Sequence, residues 1–221
     1  MRGECCVKSM PMNYCLDCVH YDLSGFNGER LLKGSQTEGT QSCRKKIYKV
    51  TIGEKNWIFR ASDDDKNRYI LGIDGKRPLI CFGINPSTAS PGTADPTIRS
   101  VSRIAEYNGY DGWVMLNIYP QRYTDPNRID ETLNQKLHEE NLYYINEILE
   151  LYRPRELWAA WGNLIAKRKF FKDCLAEISN LVKQYQCKWI AFGKINKSGH
   201  PRHPLYLKTC ADMFHFEYEK A

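Results

Sequence analysis

The sequence predicts an α/β domain: a central four-stranded parallel sheet with helices on both faces, preceded by a short antiparallel meander. Three observations carry that expectation. From residue 79 to residue 193 strand-like and helix-like segments alternate, and strand–helix–strand crossovers give parallel neighbours. The runs LICFGI (79–84), GWVMLNI (112–118), ELWAAWG (156–162) and KWIAFG (188–193) are almost continuously apolar, as strands covered on both faces are. Upstream, three shorter runs are separated by turn-forming residues, the pattern of hairpins.

In chain order, IYKVTI (47–52), NWIFRAS (56–62) and RYILGI (68–73) read as the meander, with SDDDKN and DGK as its later turns. The first buried strand, 79–84, is followed by Asp95-Pro96, a helix start with Asp as N-cap and Pro in the first helical position. Ile98, Val101, Ile104 and Ala105 recur at helical spacing, and Gly109 stops the run. After the strand 112–118, a long helix over about 131–152 places Leu133, Leu137, Leu142, Ile145 and Leu149 on its apolar side, and Pro154 closes it. The strand 156–162, a helix over 164–185 and the strand 188–193 complete the alternation.

The 221 residues suffice for one well-packed domain, 45–221, with an appended segment, 1–44. No run approaches the roughly 20 apolar residues that span a bilayer. The start, MRGECCVKSMPMNYC, has no long apolar core, so a secretory signal is not expected, and the cytoplasm or another reducing compartment is. A net charge of +6 is compatible with a phosphate-bearing partner. Of nine cysteines, Cys81, Cys174, Cys187 and Cys210 stand mostly beside apolar residues and read as buried structural thiols. The other five crowd the first 43 residues. Cys15 and Cys18 have metal-ligand spacing, Cys43 could return as a third ligand, and Cys5, Cys6 or His20 could be the fourth. Tetrahedral zinc suits such a set, and an iron–sulfur cluster is the alternative metal centre. Against both stands a disordered, thiol-bearing tail.

Parallel strands present ligands at their carboxyl ends, so the residues after each strand carry the functional reading. The first ends in Gly83-Ile84-Asn85-Pro86-Ser87-Thr88. The second ends in Asn117, then Tyr119-Pro120-Gln121-Arg122. The third ends in Trp161-Gly162-Asn163, and the fourth runs into SGHPRHPLYL, with His200, Arg202 and His203. Each alone is a turn; four together predict a pocket. Gly83 and Gly162 permit close backbone approach. Asn85 offers an acceptor and a donor that can orient a water. Ser87 and Thr88 can bond phosphate oxygens or cap a turn. His200 and His203 are restrained by Pro201 and Pro204, and an imidazole near neutrality can donate to a negative atom or exchange a proton.

The pieces Asn85-Pro86-Ser87-Thr88-Ala89, Asp95-Pro96-Thr97-Ile98-Arg99, Gly109-Tyr110, Asn117 with Thr124-Asp125-Pro126, Ala160-Trp161-Gly162 and Gly199-His200-Pro201-Arg202-His203-Pro204-Leu205-Tyr206 resemble, over about 69–207, a family of bacterial and phage proteins of unknown function. That family in turn looks like a distant branch of the uracil-DNA glycosylase superfamily. Gly83-Ile84-Asn85-Pro86 is similar to its first motif, whose Asn positions the attacking water. His203-Pro204 sits where its second motif stabilises the departing base. Ser87 stands where that motif usually has Gly, and Leu205-Tyr206 replace its small residues. The resemblance implies a uracil-DNA glycosylase-like α/β fold.

The leading functional expectation is a glycosylase-like hydrolase acting on a nucleobase, nucleotide or modified base in nucleic acid. Asn85 orients water, His203 stabilises the leaving base, and Asp95 is a reserve general base. Phe82, Tyr119 or Trp161 would be its aromatic wall, and Asn117, Pro86 and Arg202 would line the pocket. The alternative is a non-catalytic nucleotide or nucleic-acid binding module using the same pocket. A third reading is a phosphohydrolase with a metal held by Asp95 and Asp125.

Overall fold

The computed structural model describes residues 46–218. Its strands are β1 (Tyr48–Ile52), β2 (Lys55–Ala61), β3 (Arg68–Ile73), β4 (Pro78–Gly83), β5 (Gly112–Asn117), β6 (Glu156–Ala159), β7 (Lys188–Phe192) and β8 (Met213–His215). The α-helices are α1 (Pro96–Tyr107), α2 (Gln135–Tyr152) and α3 (Lys169–Gln184). None of the described helices is long and apolar enough to cross a membrane.

All eight strands belong to one mixed sheet, in the order β1-β2-β3-β5-β4-β6-β7-β8. This corrects the expected four-stranded parallel sheet with a meander set before it. Four of the seven strand pairings are antiparallel; the other three, β5–β4, β4–β6 and β6–β7, are parallel. The meander is an integral part of the sheet, because β3 pairs antiparallel with β5 through Leu71↔Met115, Gly72↔Val114 and Ile73↔Trp113. Five of the six β3 residues are buried, so it is an interior strand. Its short apolar run has the same physical signature in either direction of pairing. At the far edge β8 pairs antiparallel with β7.

Side chains alternate across the sheet and divide the core in two. Leu79 and Cys81 of β4 pack with Ile98, Val101, Ile104 and Ala105 of α1 on one face. Ile80 and Phe82 pack on the other with Tyr144, Ile145 and Ile148 of α2 and Phe171, Cys174 and Ile178 of α3. Each fully buried Ile or Phe contributes about 1.5–3 kcal/mol relative to exposure, so α1 and the α2–α3 pair are fixed to opposite faces. Cys81, Cys174 and Cys187 are buried as expected, whereas Cys210 is exposed.

The helix ends follow their capping chemistry. Asp95 accepts from Ile98 N–H at 2.8 Å, and Gly109 turns the chain away at φ +72°. α2 begins at Gln135 rather than 131, because Asn134 accepts from Leu137 N–H at 3.1 Å and sets the start. α3 begins at Lys169 rather than 164, because Gly162–Ala166 forms a 3-10 turn first.

Candidate functional site

β4 and β5 are parallel neighbours, yet the chain leaving β4 enters α1 on one face and the chain leaving β5 enters α2 on the other. The connections diverge there, at the carboxyl ends, the position at which open α/β sheets hold ligands. Gly83 and Asn117 are register partners at that point. A Cβ at Gly83 would lie 2.5 Å from Met115 Cε and 3.1 Å from Asn117 Oδ1, so the glycine leaves room for the Met115 side chain first and the Asn117 amide next. That carboxamide is fully buried, and among the described residues neither its oxygen nor its nitrogen has a hydrogen-bond partner. Leaving a buried amide unpaired costs about 1–3 kcal/mol.

Past the strands, backbone bonds Ile118 N–Gly83 O (2.9 Å), Tyr119 N–Ile84 O (2.9 Å) and Tyr123 N–Pro86 O (3.0 Å) hold the two loops together. Asn85 Nδ2 donates to the carbonyls of Pro86 (3.0 Å) and Tyr123 (2.8 Å). Both contacts are to acceptors, so the nitrogen is fixed by chemistry and the half-buried Oδ1 remains as an acceptor. Pro86 is buried, and Ser87 Oγ meets Thr124 Oγ1 at 3.3 Å; Thr88 is exposed.

Two arginines clasp this loop from beneath. Arg68 Nη1 donates to Ala89 O at 2.8 Å. Arg122 Nε donates to Ser87 O at 3.0 Å and Nη2 to Ala89 O at 3.2 Å, while Nη1 pairs with Asp65 at 2.5 Å. Arg68 is 2% exposed with its Nε unpartnered. Burial and, next, the Arg122 charge draw its guanidinium down to about 9, still charged at neutral pH. Sequence reading placed Arg122 in a segment after a strand but missed Arg68, because no local pattern separates a buried arginine from a solvated one.

His203 stands over Gly162. A Cβ on that glycine, held at φ +61°, would lie 3.1 Å from His203 Cβ. His203 Nδ1 accepts from Leu205 N–H at 3.4 Å, capping the turn Pro204–Tyr206. Burial lowers its pKa below the ordinary value, with the Asp95 carboxylate pulling the other way. With Nδ1 an acceptor, the neutral ring carries its proton on Nε2, a donor for something else. Asp95 therefore lies within electrostatic reach of both His203 and Arg68.

The structure thus gathers Gly83, Asn85, Pro86, Ser87, Asn117, Asp95, Gly162 and His203 along one edge of the sheet. β5, β4 and β6 are successive neighbours, so the strand end at Asn117 and the segment that leaves β6 towards Gly162 follow the same edge. Other expected residues sit differently. His200 lies toward α3, its pKa lowered by burial and then by Lys172. Arg202 is exposed. Trp161 is fully buried, edge-on to Trp189 and Phe216, and Phe82 and Tyr119 are also core. The aromatic that faces solvent beside His203 is Tyr206, 72% exposed with its ring 6.1 Å away. Its position directly after His-Pro-Leu was the available signal.

Asp125 is no partner for Asp95 in metal binding: it caps the turn Pro126–Arg128, accepting from Asn127 N and Nδ2 at 3.0 and 2.8 Å. Its bond from the Asn127 backbone leads the effects that hold its carboxyl below the usual range. Among the described residues no group of three His, Cys, Asp or Glu is arranged to hold a metal. Cys5, Cys15, Cys18 and Cys43 lie outside the described residues. A concavity of about 560 Å³ lies where β4 begins, lined by Lys49, Asp74, Lys76 and Tyr152 among others. Its carboxylate is already engaged by Lys49 (2.7 Å) and Tyr152 (2.6 Å).

Residues 68–205, more than half of the chain, match the family described as "Protein of unknown function (DUF1643)". The chain belongs to the DUF1643 family. Neither the curated proteins nor the solved structures compared with it gave a match. The matched span opens at Arg68, the first residue of β3, and closes inside the turn that His203 caps. Every segment of the DUF1643 site described above lies within it, apart from Tyr206.

Proposed function

We propose that this protein is a glycosylase-like hydrolase acting on a nucleobase, nucleotide or modified base in nucleic acid. The observation that carries the reading is the fully buried Asn117 carboxamide at the strand divergence, without a hydrogen-bond partner among the described residues, on the same edge as the segment that meets a neutral imidazole with an available Nε2–H. An amide with one donor and one acceptor is complementary to the –CO–NH– edge of a base. Binding such an edge would repay the desolvation already spent on it. Cleavage of an N-glycosidic bond moves the bonding pair onto the base nitrogen while water oxygen bonds the sugar carbon. The water's proton balances the charge on the released base. Asn85 Oδ1 holds that water by accepting from it, and His203 Nε2–H donates to the departing base. The order of Gly83-Ile84-Asn85-Pro86 and His203-Pro204 supports the same roles, by likeness to the two motifs of the uracil-DNA glycosylase superfamily.

The decisive assay is release of free base from a panel of nucleosides, nucleotides and oligonucleotides. Asn85→Ala and His203→Ala should each lower the rate by about 10²–10³-fold, the usual cost of removing one such group. A second reading, a binding module without turnover, is favoured by two facts: Asn85 spends both amide hydrogens on backbone carbonyls, and Asp95 is occupied as a helix cap. Tight, Asn117-dependent binding with no base released from any substrate would select it.

A further inference from the structure

Two loops frame the open side of this site, and they are stitched together. Asn163 Oδ1 accepts from Asn196 Nδ2 at 2.9 Å and from Ser198 Oγ at 2.7 Å, joining the segment after β6 to the segment after β7. The joined unit is dense in cations. Lys167, Lys169 and Lys172 stand on the first segment and Lys194, Lys197 and Arg202 on the second; all six are exposed. None of them takes part in an ion pair among the described residues.

Local stability does not account for this placement. Lys169 and Lys172 occupy the first turn of α3, a helix with no side-chain cap and no acidic residue in that turn. The amino end of a helix carries partial positive charge and disfavours cations there by about 0.3–1 kcal/mol each. The arrangement concentrates positive potential where an anion would relieve it. The same two segments carry exposed apolar side chains: Leu164 (40%) ahead of the first set of cations, and Leu205 (45%) and Tyr206 (72%) after the second. Tyr206 is the one whose ring neighbours His203.

We infer that this stitched belt binds a single-stranded polynucleotide, with phosphates on the lysines and an unpaired base against Tyr206. Clustered cations together with an exposed aromatic ring match how non-sequence-specific single-strand binders divide the work between backbone and base. A duplex would keep its bases stacked away from Tyr206. The inference rests on the reading of the adjacent site as a base pocket, and it makes the substrate a polymer rather than a free nucleotide.

The test measures binding of a fluorescein-labelled, mixed-sequence 20-nucleotide DNA, and its RNA counterpart, to the full chain by anisotropy across a salt series. The expected result is affinity at least tenfold above that for the corresponding mononucleotide, with a log–log salt slope of about −2 to −4, as three to six neutralised phosphates give on a single strand. Lys194→Gln with Lys197→Gln and Lys169→Gln should flatten that slope and weaken binding at least tenfold. Tyr206→Ala should weaken it about fivefold or more while leaving the slope intact. These exposed substitutions keep the fold, which unchanged circular dichroism and melting would verify. Equal affinity for mononucleotide and oligonucleotide overturns the belt, as does preferential binding of phosphatidylserine vesicles. So does an affinity indifferent to the lysine and Tyr206 substitutions. The base-pocket reading is scored separately: Asn117→Leu should abolish base release or mononucleotide binding without changing the salt slope. Loss of one result with survival of the other identifies which of the two readings is wrong.

Discussion

Asn117 concentrates the tension between folding and function in one side chain. A buried carboxamide with neither end bonded is a standing cost, and Leu is close to Asn in shape but has nothing to leave unpaired. Asn117→Leu should therefore be neutral or stabilise the protein by about 1 kcal/mol, read as a rise in the urea midpoint, while destroying ligand binding. A loss of stability instead would mean that the amide has an internal role that its geometry hides. Asn85 and His203 were legible in the sequence because prolines and glycines punctuate their loops. Asn117 was legible only through its place at the end of an apolar run. Arg122 was legible only as a basic residue after a strand, and Arg68 not at all: their roles depend on which loop folds over them, a fact written 21 to 35 residues away in Ser87 and Ala89.

At the level of elements, the β3–β5 pairing turns on a single close approach. A Cβ at Gly72 would lie 2.5 Å from Trp113 O and 3.0 Å from Val114 Cα, backbone atoms that cannot swing aside. Gly72→Ala should cost about 3 kcal/mol or more, at the upper end for overpacking, and chemical denaturation would measure it. An effect under 1 kcal/mol would mean that β3 sits farther from β5 than this register requires. The strands and helices themselves were readable, since apolar runs, Asp95-Pro96 and Gly109 act over a few residues. Sheet direction was not. RYILGI carries nothing that says whether its neighbour will be parallel, and β8 has only three residues to announce it. The boundaries slipped by four and five residues at α2 and α3 because the capping at Asn134 and the 3-10 turn at Gly162 preceded the helices proper.

Across the whole molecule, three imidazoles share a direction. His138 is fully buried, and burial lowers its pKa against the opposing pull of Glu177 at 3.3 Å. Burial likewise leads the lowering at His200 and His203. An imidazole lowered in the folded state is protonated first in the unfolded chain, so stability falls as pH drops below the ordinary value of about 6.5. Above that value all three are neutral in both states and contribute no slope. Thermal melting from about pH 7.5 to about pH 5.5 should show a falling Tm, and the fall should be shallower in His138→Gln. A Tm that rises on acidification would remove this account.

The outer strands carry one more consequence. β1, β2 and β8 lie outside the span that the family holds in common, yet they seal both margins of the sheet. The inherited segment is thus an interior without its own borders: on its own it would bare the hydrogen-bonding rims of β3 and β7, which invite pairing with another chain. A protein carrying the same middle segment with other flanks would need other guards for those two rims.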